Sequence, residues 1–178
     1  MNRGRDIPQG FSGEPRSVLI RPCRPEDAGR ICEIYNHYVR ESVATFEETP
    51  VEPVEMERRI AEVTADYPWL VREEDDAIAG YAYATRWKTR SAYRYAAEST
   101  IYLAPAACGR GLGVELYRTL IGILRDHDLH CVLGGISLPN PASVVLHEIL
   151  GFRKVGELRE IGWKLGRWVD VGYWQLVF

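Results

Sequence analysis

The chain has 178 residues and a mass of 20.3 kDa, a length that fits one domain with a single core. Hydrophobic residues make up 46% and charged residues 26% of the sequence, which excludes a disordered chain and is typical of a soluble globular protein. The 22 basic and 25 acidic residues give a formal charge of −3, so the sequence has no overall basic field. We therefore expect no nucleic-acid partner.

The spacing of the cysteines and the length of the apolar runs indicate the cellular compartment and whether a metal site is expected. The sequence has four cysteines, far apart and without a CxxC pair: Cys23, Cys32, Cys108 and Cys131. This pattern favours free thiols in a reducing compartment, and the absence of His/Cys ligand spacing predicts no metal. Because no apolar run approaches the ~20 residues of a membrane span, we expect a cytoplasmic protein with no membrane partner.

The chain divides into a short first segment and one long second segment. Residues 1–16 carry charge, glycine and proline but lack the apolar stretch of a signal peptide, so we interpret them as a flexible N-terminal extension. Residues 17–178 alternate between strand-like and helix-like periodicity. We expect them to form a single domain.

Seven strands and four helices are predicted within that domain. The predicted strands are 18–21, 69–71, 77–86, 96–103, 130–138, 152–161 and 168–178. The predicted helices begin at Pro25 and span 53–65, 114–125 and 140–150, the last with Asn140 as its cap and Gly151 as its end. The order βααβββαβαββ indicates an α/β domain of the α+β kind with a mixed sheet.

A glycine-rich turn joins the fourth predicted strand to the third helix. Glycines at 109, 111 and 113 remove side chains that would block a ligand, and backbone N–H groups at a helix start attract anions. Such a turn suits a phosphate or pyrophosphate, to which Arg110 can add a charge-assisted contact. The alternative is a tight turn whose glycines only satisfy a positive φ. Val114 and Glu115 exclude a P-loop, and Val114 also excludes a dinucleotide fingerprint.

Two side chains are candidates for proton transfer. Strand alternation puts Glu98, Thr100 and Tyr102 on one face of the fourth strand, where partial burial of the carboxylate would raise its pKa and suit a general base. A surface glutamate, or a partner for a nearby arginine, is the alternative. His147 stands four residues after Ser143 on one stripe of the last helix, where histidine can carry protons near neutral pH or simply pack.

The polar loop between residues 86 and 94 indicates the charge of a small-molecule ligand. Lys88 and Arg90 lie there with Trp87 and Tyr93, a combination that suits a small anion with an apolar body. The alternative is a solvated basic loop.

Read together, these segments resemble the GNAT superfamily of N-acetyltransferases, and within it the phosphinothricin and methionine sulfoximine acetyltransferases. The resemblance covers residues 18–178. It rests on IYNHYV at 34–39, YPWLV at 67–71, WKTRSAY at 87–93, AESTIY at 97–102, LPNPAS at 138–143, HEILGF at 147–152 and DVGYWQ at 170–175. It implies a mostly antiparallel sheet of six to seven strands, splayed at the acetyl-CoA site and flanked by about four helices.

The resemblance also implies roles for individual residues. Glu98 matches the family's general base and His147 its partner in catalysis. Acetyl-CoA would contact Ile101, Tyr102, Leu103, Gly109, Arg110, Gly111, Leu112, Gly113, Val114, Asn140 and Ser143. The amino-acid substrate would contact Phe46, Lys88, Arg90, Tyr93, Thr100, Ser137 and Val171. The resemblance implies a homodimer and no bound metal.

The sequence departs from the family pattern at two positions. Cys108 stands where the superfamily turn usually opens with Gln or Arg, and Ser137 stands where the subfamily tends to have glycine. Because the turn acts through backbone N–H groups, we expect acetyl-CoA binding to survive. The expected reaction is direct acetyl transfer to the α-amine of a small anionic amino acid. An acetyltransferase for another amine (an antibiotic, a polyamine or a protein N-terminus) and a non-catalytic acyl-CoA-binding module are the alternatives.

Overall fold

A computed structural model describes residues 18–178, so the predicted N-terminal extension lies outside the described residues. The strands are β1 (Val18–Pro22), β2 (Trp69–Glu74), β3 (Ala77–Arg86), β4 (Ala96–Leu103), β5 (Cys131–Leu138), β6 (Arg153–Lys164) and β7 (Arg167–Val177). The helices are α1 (Ala28–Glu41), α2 (Pro53–Thr64), α3 (Leu112–Arg125) and α4 (Pro141–Ile149). Their order confirms the predicted α/β class.

All seven strands join one sheet in the order β1-β2-β3-β4-β5-β7-β6. Every neighbouring pair is antiparallel except β4 and β5, which run parallel. The parallel ladder is short, since it ends where Glu98 pairs with Leu133, although β4 runs on to Leu103 and β5 to Leu138. The two central strands therefore splay apart in the middle of the sheet, as expected.

Helices cover both faces of the sheet. On one face α1 and α2 bury an apolar stripe that includes Ile31, Ile34 and Ile60. On the other face α3 packs through Leu116, Leu120 and Leu124, which recur at helical spacing and are fully buried. Leu146 of α4 joins that second cluster, so α3 and α4 share a face.

Strand alternation was predicted correctly for β4. Tyr102 packs edge-on against Tyr35 of α1, with ring centroids 5.4 Å apart. Ser99 lies on the opposite face, where its hydroxyl is 2.7 Å from the Tyr117 hydroxyl of α3. Glu98 and Thr100 therefore share the α1/α2 face with Tyr102.

Several element boundaries differ from the predicted ones; for example, β2 runs to Glu74 and α1 begins at Ala28. The final hairpin is longer, because Leu165 and Gly166 adopt positive φ angles of 51° and 74° and make the turn. Helix α3 begins at Leu112, directly after the left-handed Gly111. The Asn140 cap is confirmed, since its side-chain oxygen accepts from the Ser143 N–H at 3.1 Å. None of the helices in the described part of the chain is long and apolar enough to cross a membrane.

Candidate active site

A cavity of about 520 Å³ opens where β4 and β5 part. Its walls are β4, the glycine turn, β5 and α4. Twelve of the residues singled out in the sequence line it: Thr100, Ile101, Tyr102, Leu103, Gly109, Gly111, Gly113, Val114, Ser137, Asn140, Ser143 and His147. The two central strands and the turn between them thus form one site.

The glycine turn combines the two interpretations that its sequence left open. Gly109 and Gly111 adopt φ angles of +72° and +78°, which L side chains rarely adopt, and both line the cavity. Gly113 lies on the first turn of α3, where an added Cβ would be 3.4 Å from Leu103 and 3.6 Å from Leu146. The start of a 14-residue helix therefore borders the cavity, a position whose N–H groups suit a pyrophosphate.

Two residues of the turn lie away from the cavity. Arg110 pairs with Glu74 of β2 at 2.9 Å, so its guanidinium already has a carboxylate partner. Leu112 packs against the core under α1 and is absent from the cavity wall. The expected contacts of these two side chains with a ligand remain predictions.

Glu98 lies where the parallel ladder ends. A Cβ added to Gly135 of β5 would be 3.2 Å from the Glu98 carboxylate, so this glycine leaves room for the carboxylate beside the cavity. Burial raises the pKa of Glu98 above its ordinary value of 4.5, and the Lys88 ammonium opposes that rise. A carboxylate of raised pKa at the opening between two strands is suited to accept a proton from a bound amine.

His147 lies on the other face of the sheet and is 4% exposed. Its Nδ1 is 2.7 Å from the Ser143 carbonyl, which can only accept, so Nδ1 carries a proton. Its Nε2 is 3.0 Å from the Tyr117 hydroxyl. Burial lowers the pKa of His147 below its ordinary value of 6.5. Both ring nitrogens of a neutral histidine are thus engaged within the protein.

A chain of hydrogen bonds runs from His147 to the point where the strands part. The Tyr117 hydroxyl is 2.7 Å from Ser99 Oγ, and Ser99 Oγ is 3.2 Å from the Leu133 carbonyl. Leu133 pairs with Glu98 in the last step of the parallel ladder. These hydrogen bonds therefore tie α3 and α4 to β4 just behind Glu98.

The predicted substrate residues come from separate segments around Glu98. Lys88 Nζ lies 4.6 Å from the centre of the Trp87 ring, and the Trp87 ring is edge-on to Tyr173, 5.5 Å away. Arg90 directly precedes the short 3-10 helix Ser91–Tyr93, and Tyr93, its last residue, is exposed. The Lys88 ammonium is near enough to Glu98 to lower the pKa of its carboxyl, and Arg90 and Tyr93 lie in the same loop as Lys88.

The loop after α1 carries Phe46. An added Cβ on Gly162 of β6 would be 2.5 Å from the Phe46 ring, so the ring rests on that glycine. Lys164 of β6 is buried, and its Nζ donates to the carbonyls of Thr45 at 2.7 Å and Tyr38 at 3.2 Å. These contacts hold the loop against the final hairpin.

The last predicted substrate residue, Val171, lies on β7. It pairs directly with Ser137 of β5, which lines the cavity. Val171 itself is half-buried and is not part of the cavity wall.

Known proteins have a similar sequence and a similar fold. The family model for the acetyltransferase (GNAT) domain matches residues 20–172 of the chain. The chain belongs to the GNAT acetyltransferases. It is 41% identical to a phosphinothricin N-acetyltransferase from Streptomyces viridochromogenes over 168 residues, covering 94% of this chain and 92% of the relative.

Two further GNAT relatives match at similar coverage. An L-methionine sulfoximine/L-methionine sulfone acetyltransferase from Salmonella typhimurium is 36% identical over 163 residues, 89% of this chain and 94% of the relative. The crystal structure of a phosphinothricin acetyltransferase from Sinorhizobium meliloti, solved with acetyl-CoA, has a TM-score of 0.87 at 37% identity. That match covers 90% of this chain and 88% of the other.

The two departures from the GNAT pattern both lie on the cavity. Cys108 is exposed at the turn, with its sulfur 3.7 Å from the Tyr38 hydroxyl. Ser137 is buried in the wall formed by β5. Within residues 18–178, no three His, Cys, Asp or Glu side chains are grouped to hold a metal ion.

Sequence reasoning missed Tyr117, Ser99 and Lys164. Tyr117 lies next to Leu116 in the buried stripe of α3, and a buried tyrosine hydroxyl usually has a partner. That signal could have marked it. Strand alternation puts Ser99 on the face of β4 opposite Glu98 but assigns it no role, and Lys164 carries no local signal because its two partners are distant backbone carbonyls.

Proposed function

We propose that this chain transfers the acetyl group of acetyl-CoA directly to the α-amine of a small anionic amino acid. Candidate acceptors are phosphinothricin, for which one relative is named, and methionine sulfoximine and methionine sulfone, for which another is named. The observation that carries the proposal is the Glu98 carboxylate, whose pKa is raised and which lies against Gly135 at the edge of the cavity. An acid–base group there can meet an amine on the α1/α2 face.

The residues of the cavity fit acetyl-CoA, which supplies the thioester carbonyl for the reaction. Backbone N–H groups at the start of α3 suit its pyrophosphate, and positive φ at Gly109 and Gly111 keeps the turn open. Beyond Glu98 the edge of β4 that faces β5 has no ladder partner in β5, which leaves backbone groups for an extended ligand. A strand N–H near Leu103 is our candidate for holding the oxyanion.

Glu98 has the role of general base in this proposal. The α-amine arrives as an ammonium ion and cannot attack until it loses a proton, which Glu98 accepts directly or through water. Lys88 keeps the carboxylate from becoming too basic, since its positive charge favours the ionised form. Fixing both reactants beside one another lowers the entropic barrier of the bimolecular step.

His147 supports the reaction from behind the sheet. Its nitrogens contact the Ser143 carbonyl and the Tyr117 hydroxyl, so donating a proton to the departing thiolate would require breaking one of these bonds. Through Tyr117 it reaches Ser99 of β4, the residue after Glu98, and its ring lies against Gly134 of β5. We assign it a positioning role that keeps β4 and β5 at the separation the acetyl donor requires.

Release of CoA thiol from acetyl-CoA tests the proposed reaction. The acceptors to compare are phosphinothricin, methionine sulfoximine, methionine sulfone and a cationic amine such as a polyamine. Fast release with one of the three amino acids is expected, with a Michaelis constant that rises when Arg90 is changed to Ala. Release with the cationic amine alone would favour a GNAT enzyme for another amine. Acetyl-CoA binding without release would favour a binding module.

We also propose a homodimer in the reducing cytoplasm. Large apolar side chains concentrate on the final hairpin, where Ile161, Trp163, Leu165 and Trp168 are each more than half exposed. The C-terminal aromatic Trp174, in contrast, is buried in the core. Free thiols at all four cysteines are consistent with the compartment. Sedimentation of the purified protein at twice the chain mass is expected, and Trp168→Glu should shift it to the monomer.

A further inference from the structure

Arg72 of β2 is a buried arginine, 3% exposed, that the proposed reaction does not use. One of its terminal nitrogens binds Glu115 in the first turn of α3, and the other is 3.5 Å from Glu74 at the end of β2. Its Nε has no acceptor within residues 18–178. Because a buried charge is unfavourable unless it is paired, the Arg72 guanidinium depends on these two carboxylates.

Glu74 extends these contacts to the glycine turn. One of its carboxylate oxygens faces Arg72, and the other binds Arg110 at 2.9 Å. Two neighbouring residues of β2 thus hold Arg110 in the turn and Glu115 five residues later in α3. We call these four side chains the β2–α3 clamp. Its two positive and two negative charges cancel, so it adds no net charge to the turn.

The clamp holds the turn from outside the cavity. Neither Arg110 nor Glu115 lines the cavity, whereas Gly111, Gly113 and Val114 between them do. Glycine loses more conformational freedom than any other residue when its backbone is ordered. Anchoring both ends of this segment before a ligand arrives reduces the ordering cost that binding would otherwise have to meet. The clamp is therefore suited to keep the backbone N–H groups in place.

We propose that the β2–α3 clamp positions the start of α3 to bind the pyrophosphate of acetyl-CoA, with Arg72 as its central positioning residue. Arg110 then acts through Glu74, behind the turn, and not as the direct phosphate contact expected from the sequence. Because the clamp is neutral, it acts by fixing the backbone and not by attracting the anion. This inference rests on the proposed function, which puts the pyrophosphate at this turn.

The test compares Arg72→Met with Arg21→Met as its matched control. Arg21 of β1 is also largely buried and also binds two carboxylates, Asp27 at 2.8 Å and Glu73 at 2.9 Å. Both of these carboxylates lie outside the glycine turn and α3. Since Asp27 is buried and would lose its partner, Arg21→Met should lower the melting temperature at least as much as Arg72→Met.

Three measurements separate positioning of the turn from a general loss of structure. The dissociation constant of acetyl-CoA, measured by calorimetry without an acceptor, should rise about tenfold in Arg72→Met, the effect of losing one hydrogen bond to a charged group. It should stay within twofold in Arg21→Met. We expect kcat at saturating acetyl-CoA to stay within twofold in Arg72→Met. In the same variant kcat/KM should be unchanged for S-acetylpantetheine, a donor with the same thioester arm and no pyrophosphate.

A second variant keeps the inference testable if Arg72→Met folds poorly. Glu115→Gln changes an exposed side chain and removes one contact of the clamp. Losing a negative charge near an anion would by itself tighten binding, whereas losing the clamp weakens it. We expect the dissociation constant of acetyl-CoA to rise about two- to fivefold, as for a partly exposed ion pair. Glu57→Gln, the same charge change at an exposed position of α2, should leave it unchanged.

The outcomes distinguish this inference from the proposed function. An acetyl-CoA dissociation constant that is unchanged in Arg72→Met, that rises equally in Arg21→Met, or that falls in Glu115→Gln would overturn the inference. An equal loss of kcat/KM for acetyl-CoA and S-acetylpantetheine in Arg72→Met would also overturn it. A wild type that binds acetyl-CoA and releases no CoA thiol with any of the amino acids would overturn the proposed reaction and leave the clamp in place.

Discussion

Two adjacent glycines of β5 face opposite sides of the sheet and serve opposite kinds of site. A Cβ on Gly134 would lie 2.3 Å from His147 Nε2, inside a buried and fully hydrogen-bonded cluster. Gly135 lines the main cavity, and a Cβ added to it would lie 3.2 Å from the Glu98 carboxylate. Strand β5 thus borders the hydrogen-bonded His147 cluster on one face of the sheet and the reactive Glu98 carboxylate on the other.

The two titratable groups, His147 and Glu98, differ in whether they have hydrogen-bond partners within the protein. His147 has a partner for each ring nitrogen, and burial lowers its pKa so that it stays neutral near pH 7. Glu98 is desolvated, which raises its pKa, and its main electrostatic neighbour is Lys88. A group without tight partners in a low-dielectric setting is ready to exchange a proton, whereas a paired one is suited to hold structure.

Neutralising Glu98 should produce the largest effect. We expect Glu98→Gln to lower kcat by about 10²–10⁴, because it removes the general base, and to leave the KM for acetyl-CoA nearly unchanged. Since the raised pKa means that folding disfavours the charged form, the variant should melt no lower than the wild type near neutral pH. Steady-state kinetics and a thermal melt check this, with Glu57→Gln as control. A kcat within twofold of wild type would remove Glu98 from the mechanism.

Alanine substitutions at Gly134 and at Gly135 test the two faces of the sheet separately. Gly134→Ala forces the His147 ring to move and should destabilise the protein by about 2–4 kcal/mol. The new methyl group in Gly135→Ala would crowd the end of the flexible Glu98 side chain and make ordinary contact with the Tyr173 ring, so stability should change little while kcat falls about tenfold. Thermal denaturation and kinetics of the pair provide the measurement. Equal losses of stability in the two variants would contradict the contrast between the faces.

Removing one hydroxyl from the supporting chain should have a moderate effect. Tyr117→Phe deprives His147 Nε2 and Ser99 of a partner and should lower stability by about 1–2 kcal/mol, or roughly 2–8 °C in melting temperature. We expect the KM for acetyl-CoA to rise several-fold because the separation of β4 and β5 is less well fixed. An unchanged melting temperature and KM would show that the chain of hydrogen bonds contributes nothing.

The smallest expected effect is a displaced pH profile. Glu98 must be ionised to act, so kcat should fall as the pH drops through its raised pKa. Lys88→Met removes the positive charge that favours ionisation, and the acid limb should therefore move to higher pH. Rate profiles at saturating substrates measure the shift. A limb that moved to lower pH would contradict the assigned electrostatics.

The sequence predicted the fold more fully than the site. Periodicity and turn residues were sufficient for the order of elements and for the faces of β4, because both depend on local patterns such as the alternation from Ala96 to Leu103. The contacts of Tyr117 with Ser99 and His147 join residues 18 and 30 positions away, and local patterns do not encode such distances. The pairing of Arg110 with Glu74 was missed for the same reason.

The pH dependence of kcat in the wild type, Tyr117→Phe and Glu98→Gln tests the central contrast most directly. We expect an acid limb above pH 4.5 in the wild type, since burial raises the pKa of Glu98 from that value. The limb should stay at the same pH in Tyr117→Phe and vanish from the residual activity of Glu98→Gln. A limb that persists in Glu98→Gln and moves in Tyr117→Phe would make His147 the titrating group and contradict the account.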